Sequence, residues 1–335
     1  MIHEAIDKLT QSKNLTGEQM RQVMEEIMTG KADTPQVVSF LTALSNKGET
    51  VEELTAAVSV MRQHVTKIHT KEKIVLDTCG TGGDKSGTFN VSTVVAFVAS
   101  GCGIAVAKHG NRSVSSHCGS ADILEALGIN INMPPEKIEQ CLNEIGIAFL
   151  FAPNLHPAMK YAMPARKQIG KRTMFNILGP LSNPASATHQ LVGVYGKNWV
   201  EILAQVLKNL GTVHTLVVHG EDGLDEITTT AKTYVSEANN SKVKNFTLNP
   251  QDLGFKRAKL EDLAGGDAAC NAKILLDILK GKQGHWRDIV LLNAAAAIYV
   301  ADRVKSIKDG IKLAEESVDS GKAFKKLELL KECSR

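Results

Sequence analysis

The sequence predicts a small all-helical N-terminal domain, residues 1–70, joined to a large α/β domain, residues 71–335, with a mainly parallel central sheet. Three observations predict it. Two capping boxes, Thr16 with Gln19 and Thr50 with Glu53, punctuate an N-terminal stretch whose apolar residues recur at helical spacing. From Ile74 the rhythm changes to strand followed by helix, repeatedly, the pattern that buries a parallel sheet between helical layers. At 335 residues the chain exceeds the length at which a single core stops growing, so two domains are expected.

Composition narrows the function classes. Hydrophobic content of 43% and charged content of 22% are those of a globular protein in water. A formal net charge of +3 is too small and too dispersed for a nucleic-acid binder, yet it leaves room for a local anion site. The opening residues do not read as a signal peptide and no apolar run is long enough to span a bilayer, so neither a leader nor a membrane anchor is expected. The six cysteines (Cys79, Cys102, Cys118, Cys141, Cys270, Cys333) form no C-x-x-C pair and are expected as reduced thiols in a cytoplasmic protein. Cys79 and Cys118 read as small apolar fillers, because neither has a histidine or cation arrangement suited to a nucleophile.

In the first 68 residues Pro35 sits at a first-turn position behind Thr34, and Gly48 ends the helix that follows. Val37, Val38, Phe40, Leu41 and Leu44 recur at helical spacing, as do Leu54, Val58 and Met61. The connection at Lys47 and Gly48 has the look of a helix-turn-helix, but its second helix opens acidic, which favours packing or dimerisation over DNA contact. Residues 74–76 read as a strand, residues 78–90 as a glycine-rich loop, and residues 91–99, apolar all round, as a buried helix. Asn90 or Ser92 caps that helix and Gly101 fits the left-handed position past its end.

Next come a strand at 103–107, the loop KHGNRSVSSHCGS, and a helix at 121–127 with Ser120 as cap and Gly128 as stop. A helix opening at Pro134 and Pro135, a strand at 147–151 and the turn APNLHP follow. Strands at 191–195 and 213–219 flank a helix at 199–210, short antiparallel additions stand at 232–238 and 242–248, and the rest is helical. A segment near residues 165–190, rich in Pro, Gly and Asn and weak in periodicity, is expected to cross between the domains, where ligand clefts tend to lie.

The chain is organised around the loop at 78–90, which holds Gly80, Gly82, Gly83 and Gly87. A glycine-rich turn leaving the carboxyl end of a strand and entering a helix lets backbone N–H groups approach an anion with no Cβ in the way. Two known phosphate motifs fail here. Asp84 separates Gly83 from Lys85, which breaks G-x-x-x-x-G-K-[ST], and Lys85 occupies the third glycine position of G-x-G-x-x-G. Neither a nucleotide triphosphatase nor a Rossmann dehydrogenase is supported. An ordinary flexible βα connection is the plain alternative, although this loop is longer than most.

Four clusters can carry chemistry. The glycine loop with Ser92 and Thr93 offers hydroxyls at a helix start. Lys108, His109, Gly110, Asn111 and Arg112 form a basic loop directly after a strand, with lysine suited to a diphosphate, or else a solvated basic turn. Asp225 and Glu226, after the strand ending at His219, suit magnesium, which takes one or two carboxylates and fills its shell from water and substrate phosphates; a solvated acidic turn reads equally well. Arg166, with Lys171 and Arg172 nearby, can hold a carboxylate in bidentate fashion or be ordinary surface arginine. His156 before Pro157 reads as structural or catalytic.

The strings GTGGD, NVST, KHGNRSVSSHCGSAD, HPAMK, R-x-x-I-G-x-R-T-x-F-N-x-L-G-P-L, DGLDE and GGDAACNA, in that order along the whole chain, resemble the anthranilate phosphoribosyltransferases. The resemblance implies the class II nucleoside phosphorylase fold, with dimerisation through the helical domain. It also implies a pentosyltransferase reaction: the anthranilate amine attacks C1 of phosphoribosyl diphosphate with loss of diphosphate, the second step of tryptophan synthesis from chorismate. By the same similarity Gly80, Thr81, Gly82, Gly83, Asp84 and Thr88 embrace the diphosphate and ribose. Asn90, Ser92 and Thr93 hold the diphosphate and a magnesium, Lys108 and Ser120 contact phosphate groups, and Asp225 and Glu226 bind a second magnesium, making two per subunit. Gly80, His109, Asn111, Arg166 and Gly179 meet anthranilate or line its path, with Arg166 on its carboxylate.

His117 and Cys118 depart from the family, which more often has a small or basic residue followed by serine there, so no hydroxyl role passes to position 118. Two rivals share the fold. A pyrimidine nucleoside phosphorylase would not need the paired acids of DGLDE or Arg166. A non-catalytic nucleic-acid-binding relative should show a strongly basic face, of which +3 overall gives no sign.

Overall fold

In the computed structural model, which describes residues 1–84, 86–112, 118–239 and 242–335, four helices lead: α1 (Ile2–Thr10), α2 (Gly17–Met28), α3 (Thr34–Lys47) and α4 (Val51–Gln63). Both anticipated capping boxes are present, at Thr16 with Gln19 and at Thr50 with Glu53. Asp33, not Thr34, caps α3, because its carboxylate accepts from Gln36 N in a third capping box and leaves Thr34 and Pro35 inside the first turn. Glu53 is buried and fully used. One oxygen accepts from Leu15 N and the other from Thr50 N and Lys47 Nζ, so a single carboxylate ties the α1–α2 connection to the α3–α4 turn.

Seven strands form one sheet: β1 (Val75–Asp77), β2 (Ala105–Gly110), β3 (Ile147–Phe151), β4 (His189–Gly193), β5 (His214–Gly220), β6 (Thr233–Asn239) and β7 (Lys242–Leu248), in the order β3-β2-β1-β4-β5-β6-β7. The first five run parallel and the last two add on antiparallel. Leu76 stands opposite both Val106 and His189, which sets the register at the centre. From β1 the chain moves to β2 and β3 on one side, then returns to β4 on the other. Such a reversal opens a crevice at the carboxyl ends of the two central strands.

The intervening helices are α5 (Val91–Gly101), α6 (Ser120–Ala126), α7 (Pro135–Ile145), α8 (Ala152–Leu155), α9 (Met159–Ile169), α10 (Phe175–Leu181) and α11 (Asn198–Asn209). After β7 come α12 (Ala268–Leu279), α13 (His285–Val300), α14 (Ile307–Asp319) and α15 (Lys322–Cys333). Alternation along β4 and β5 divides the interior into two cores. Leu191, Leu216 and Val218 pack with α5 and α12 to α15, whereas Val192 and Val217 join α11, α9, α10 and the N-terminal helices. α5 is buried on every side, as its uniformly apolar sequence requires. No described helix is long and apolar enough to cross a membrane.

Several expectations need correction. Gly101 is the last residue of α5 and not a left-handed cap. A Cβ there would run into Ser317 Oγ and the Ala323 backbone, so its glycine serves close helix packing, and Gly103, at φ +79°, makes the turn. The strand expected at 103–107 runs on to Gly110, because Lys108, His109 and Gly110 keep pairing with β3; they belong to the strand and not to a loop. Gly119, not Ser120, caps α6, with Gly119 N donating to Asp122 Oδ2. The turn at APNLHP holds the single helical turn α8, and the segment read as aperiodic contains α9 and α10, whose internal Pro164 and Pro180 hide the helical period. β4 begins two residues before the expected 191.

Cys141 of α7 and Cys333 of α15 are joined by a disulfide with their Cα atoms 6.0 Å apart, contrary to the expectation of reduced thiols throughout. The packing of α15 beside α7 brings together two positions 192 residues apart in sequence, which no local spacing discloses.

At the amino ends of β4 and β5, opposite the crevice, His214 is buried between two carboxylates. Its Nδ1 lies 2.9 Å from Asp302 Oδ1 and its Nε2 2.9 Å from Glu237 Oε1, which also accepts from Tyr299 Oη; Asp302 Oδ2 faces His189 Nε2 at 3.3 Å. Burial pushes the imidazole pKa down, but the hydrogen bonds to Glu237 and Asp302 reverse this and raise it, while the bond to His214 lowers that of Glu237. A raised histidine pKa stabilises the fold fully below the unfolded value of roughly 6.5 and loses that contribution as pH rises through the folded value; the lowered Glu237 pKa loses its contribution as pH falls. His214→Gln is therefore expected to cost about 2 kcal/mol near pH 6 and less at pH 9, measured as the difference in urea unfolding free energy between variant and parent.

Candidate active site

The crevice at the switch point is built by close backbone approach. Gly80 passes so near β4 that a Cβ would stand 2.9 Å from Gly193 O and 3.3 Å from Asp225 Oδ2, and a Cβ on Gly193 would overlap the Asp225 carbonyl. Three chain segments, from the ends of β1, β4 and β5, therefore meet where only glycine fits. Thr81 N donates to Gly193 O at 2.8 Å, and Tyr195 N donates back to Thr81 Oγ1 at 3.1 Å.

Beneath the loop lies a buried polar network. Asp77 ends β1; its Oδ1 accepts from Cys79 N and from His109 N, both at 3.1 Å, and its Oδ2 from Asn183 Nδ2 at 2.7 Å. Asn183 also donates to Ala107 O, so one amide joins β1, β2 and the segment after α10. Burial raises the Asp77 pKa to about 6 against the pull of Lys108, Asn183 and the two N–H groups. Burial and the neighbouring Asp77 likewise raise the Cys79 thiol, which suits a filler and not a nucleophile.

Lys108 is buried, which rules out the solvated basic turn for it. Its Nζ lies 3.1 Å from Ser92 Oγ, 3.4 Å from Thr78 Oγ1 and 3.5 Å from Thr78 O, so the cation sits between the end of β1 and the start of α5 with oxygen acceptors in place of a paired carboxylate. Asn90 is the cap of α5: its Oδ1 accepts from Thr93 N, Thr93 Oγ1 and Ser92 Oγ. Ser92 thus faces Lys108, whereas the Thr93 hydroxyl is buried against Asn90. The far side of the loop is walled by the GGDAACNA segment. Thr88 bridges to Ala264, Gly265 N donates to Gly87 O, and Asn271 Oδ1 accepts from Asn90 N.

Asp84, Asp225 and Glu226 gather around the same loop, Asp225 beside the Gly82 N–H and Glu226 beside the Ser92 N–H at the start of α5 and within reach of Lys108. Asp84 accepts from Ser86 N and Ser86 Oγ. Asp225 and Glu226 keep some solvent contact but lie deep in protein. Burial, then the like charge of Asp84, raises the Asp225 pKa to about 7; burial and Asp225 raise Glu226 well above the ordinary range. Asn293 of α13 fixes this loop, accepting from Ile227 N at 2.9 Å and donating to Ile227 O at 2.7 Å. An all-oxygen set of mutually repelling carboxylates fits a hard divalent cation that takes further ligands from a phosphate. Among the described residues, the one group whose candidate ligand atoms all lie within 4.8 Å of one another is Asp77, Cys79 and His109, but its carboxylate is already engaged by three donors.

On the third side, His109 Nε2 meets His156 Nε2 at 3.0 Å, both rings buried. Burial, then His156, pushes His109 well below its ordinary pKa, and burial brings His156 to about 4, so the pair is neutral at pH 7. The Gly179 backbone faces His109, and a Cβ on Gly179 would meet open space. Ser120 is buried, its Oγ 3.4 Å from Asn111 O, while Asn111 and Arg112 are exposed, Arg112 pairing with Asp122 and Glu125. Arg166 is half-buried with its guanidinium over Phe175 at 5.8 Å, and burial lowers its pKa; no carboxylate pairs with it among the described residues. His117 lies outside the described residues. Sequence reasoning missed Asn183, Asn293 and Tyr195 as parts of this site, because each reaches it from a distant segment with no local signal; Asn271 stands in the GGDAACNA string but was given no role there.

Residues 3–65 match the helical bundle domain of the glycosyl transferase family, and residues 72–324 match its a/b domain. The anthranilate phosphoribosyltransferase of Geotalea uraniireducens is 53% identical over 344 aligned positions covering 98% of each chain, and that of Alkaliphilus metalliredigens is 51% identical over 98% of this chain and 97% of its own. Among solved structures, the Thermus thermophilus enzyme of that name superposes with a TM-score of 0.94 at 40% identity over 99% of both chains. The Saccharomyces cerevisiae enzyme in complex with PRPP and Mg reaches 0.90 at 29% identity, covering 99% of this chain and 97% of its own. From its helical bundle through its glycine loop to its C-terminal helices, this chain belongs to the anthranilate phosphoribosyltransferase family.

Proposed function

We infer that this chain transfers the phosphoribosyl group of 5-phosphoribosyl 1-diphosphate to the amine of anthranilate with the help of magnesium, releasing diphosphate. One juxtaposition supports this above all. A buried lysine and a helix start lie beside three carboxylates around a glycine loop at the switch point, with Glu226 close enough to the start of α5 to accept from Ser92 N. A cation and an acidic set so placed suit a substrate whose leaving group is a metal-bound diphosphate.

The amine nitrogen forms its bond to C1 as the C1–O bond to diphosphate breaks; the leaving group takes the electron pair and the new ammonium gives a proton to water. An aromatic amine is a neutral nucleophile at pH 7, so the chain need supply no general base, and the neutral His109–His156 pair keeps positive charge away from it. Lys108, Ser92 and the loop N–H groups hold and neutralise the diphosphate, with Thr81, Gly82, Gly83, Thr88, Asn90, Thr93 and Ser120 shaping its seat. Arg166, desolvated and without a carboxylate partner among the described residues, receives the carboxylate of anthranilate beside Gly80, His109, Asn111 and Gly179. Holding two reactants in line supplies roughly 7 to 11 kcal/mol of the barrier reduction. Asp225, Glu226 and Ser92 would hold the magnesium, two ions per subunit, which supplies charge neutralisation on the leaving group when bound.

In the same reading the chain divides into residues 1–70 with the segment near 165–190, and 71–335. It works in the cytoplasm and pairs as a homodimer through the helical part, where Tyr161 and Met163 of α9 are exposed beside the N-terminal helices.

The deciding assay follows the loss of anthranilate fluorescence on adding phosphoribosyl diphosphate with and without magnesium. Magnesium-dependent consumption is expected; phosphate-dependent cleavage of uridine or thymidine in its place would move the chain to the phosphorylases. Lys108→Ala should lower kcat on the order of a hundredfold, as removal of a transition-state charge contact does. Arg166→Ala should instead raise the KM for anthranilate about tenfold, and an unchanged KM would reject its role. Because Asp225 binds a proton up to about pH 7 when no cation is present, magnesium affinity should tighten from pH 6 to pH 8 with release of protons, which titration calorimetry in two buffers of different ionisation heat would register.

A further inference from the structure

Arg172 stands in the turn between α9 and α10, yet its side chain leaves that turn for the glycine loop. The guanidinium donates to the Gly83 carbonyl, and its carbon lies 4.0 Å from the centroid of the Tyr195 ring. Tyr195 is itself tied to the loop, since its N–H donates to Thr81 Oγ1. The loop is therefore gripped on both sides of Gly82: Thr81 by the end of β4, and Gly83 by Arg172. Gly82 and Gly83 both have positive φ, at +63° and +79°, and neither has a side chain to anchor it, so an outside partner must set the orientation of these peptides. In a trans peptide the carbonyl and the following N–H point in opposite directions. Pinning the Gly83 carbonyl to Arg172 thus turns the Asp84 N–H away from the guanidinium, and successive N–H groups held in this way make an anion seat. Among the described residues no carboxylate engages Arg172, and its side chain is exposed, so burial of apolar surface does not account for its placement.

We propose that Arg172, stacked on Tyr195, is a positioning residue for phosphoribosyl diphosphate: it fixes the Gly83–Asp84 peptide and so preorganises the loop donors before substrate arrives. The proposal rests on the function inferred above for its substrate, though the clasp itself can be tested without turnover. In the full chain without substrate, Arg172→Gln and Tyr195→Leu should both speed hydrogen exchange of the peptide spanning residues 80–88, while Tyr195→Phe, which keeps the ring, should match the parent.

In kinetics, Arg172→Gln should raise the KM for phosphoribosyl diphosphate about tenfold, the scale of one charge-assisted hydrogen bond, with kcat and the KM for anthranilate nearly unmoved. The double variant Arg172→Gln with Tyr195→Leu should be no worse than the worse single one, since the two residues form one device. Parent-like exchange at residues 80–88 in Arg172→Gln would overturn the proposal. So would a rise in the anthranilate KM in place of that for phosphoribosyl diphosphate, which would make Arg172 a carboxylate ligand. Arg172→Lys, which keeps the charge but not the planar stack, should fall between parent and Arg172→Gln; equality with the parent would also count against the clasp. Should the parent fail to consume anthranilate, the functional reading falls while the exchange comparison still decides the clasp.

Discussion

The absence of two Cβ atoms governs the site. Gly80 and Gly193 let the chain leaving β1, the end of β4 and the loop after β5 approach within backbone contact, and a methyl at either position would drive Asp225 away. Everything charged then follows from that approach. With the three ends together, the carboxylates of Asp84, Asp225 and Glu226 lie close to Lys108 and the start of α5, and burial disfavours the ionised forms of Asp225 and Glu226. In the function proposed above, the protein tolerates a cost in the substrate-free state, where acids repel one another, because the opposing charge arrives with the ligand. Such sites hold strain in electrostatics and not in covalent geometry.

The buried polar groups around the crevice divide into those that wait and those that hold. Asp77, Asn183, Asn271 and Asn293 have their hydrogen-bonding capacity largely consumed by backbone partners, and they lock strand ends and loops in place. Among the described residues, Lys108 and Arg166 form no ion pair with a carboxylate, and Lys108 acts on Asp77 and Glu226 only through its field. That separation of spent from unspent polar groups marks the site more sharply than charge alone.

Much of this was legible in sequence. The glycine loop, the alternation of strand and helix, two of the N-terminal capping boxes and the antiparallel pair at the sheet edge are local patterns, and local patterns survive folding. Strand ends were less legible: β2 extends through Lys108 and His109 because β3 pairs with them, and pairing is not written in either segment alone. α9 and α10 were hidden by prolines that their tertiary neighbours accommodate. Gly101 was misread because a glycine that admits a neighbouring helix looks, in sequence, like one that ends its own. Of the asparagines that brace the site, Asn183 and Asn293 left no signal and Asn271 only its place in the GGDAACNA string, since a lone asparagine gives no clue to the distant backbone it will meet.

The second core has an implication for how the chain can be cut. It joins α1 to α4 not only to α9 and α10 but to α11 and to Val192 and Val217 of the sheet, and Arg62 of α4 donates to the carbonyls of Leu181 and Leu210 at the ends of α10 and α11. The family boundary near residue 70 is thus a boundary in sequence that the interior does not respect. Severed there, the larger fragment would carry a naked apolar flank along α11, and the N-terminal bundle would lose the wall it leans on, so neither piece is an exchangeable module.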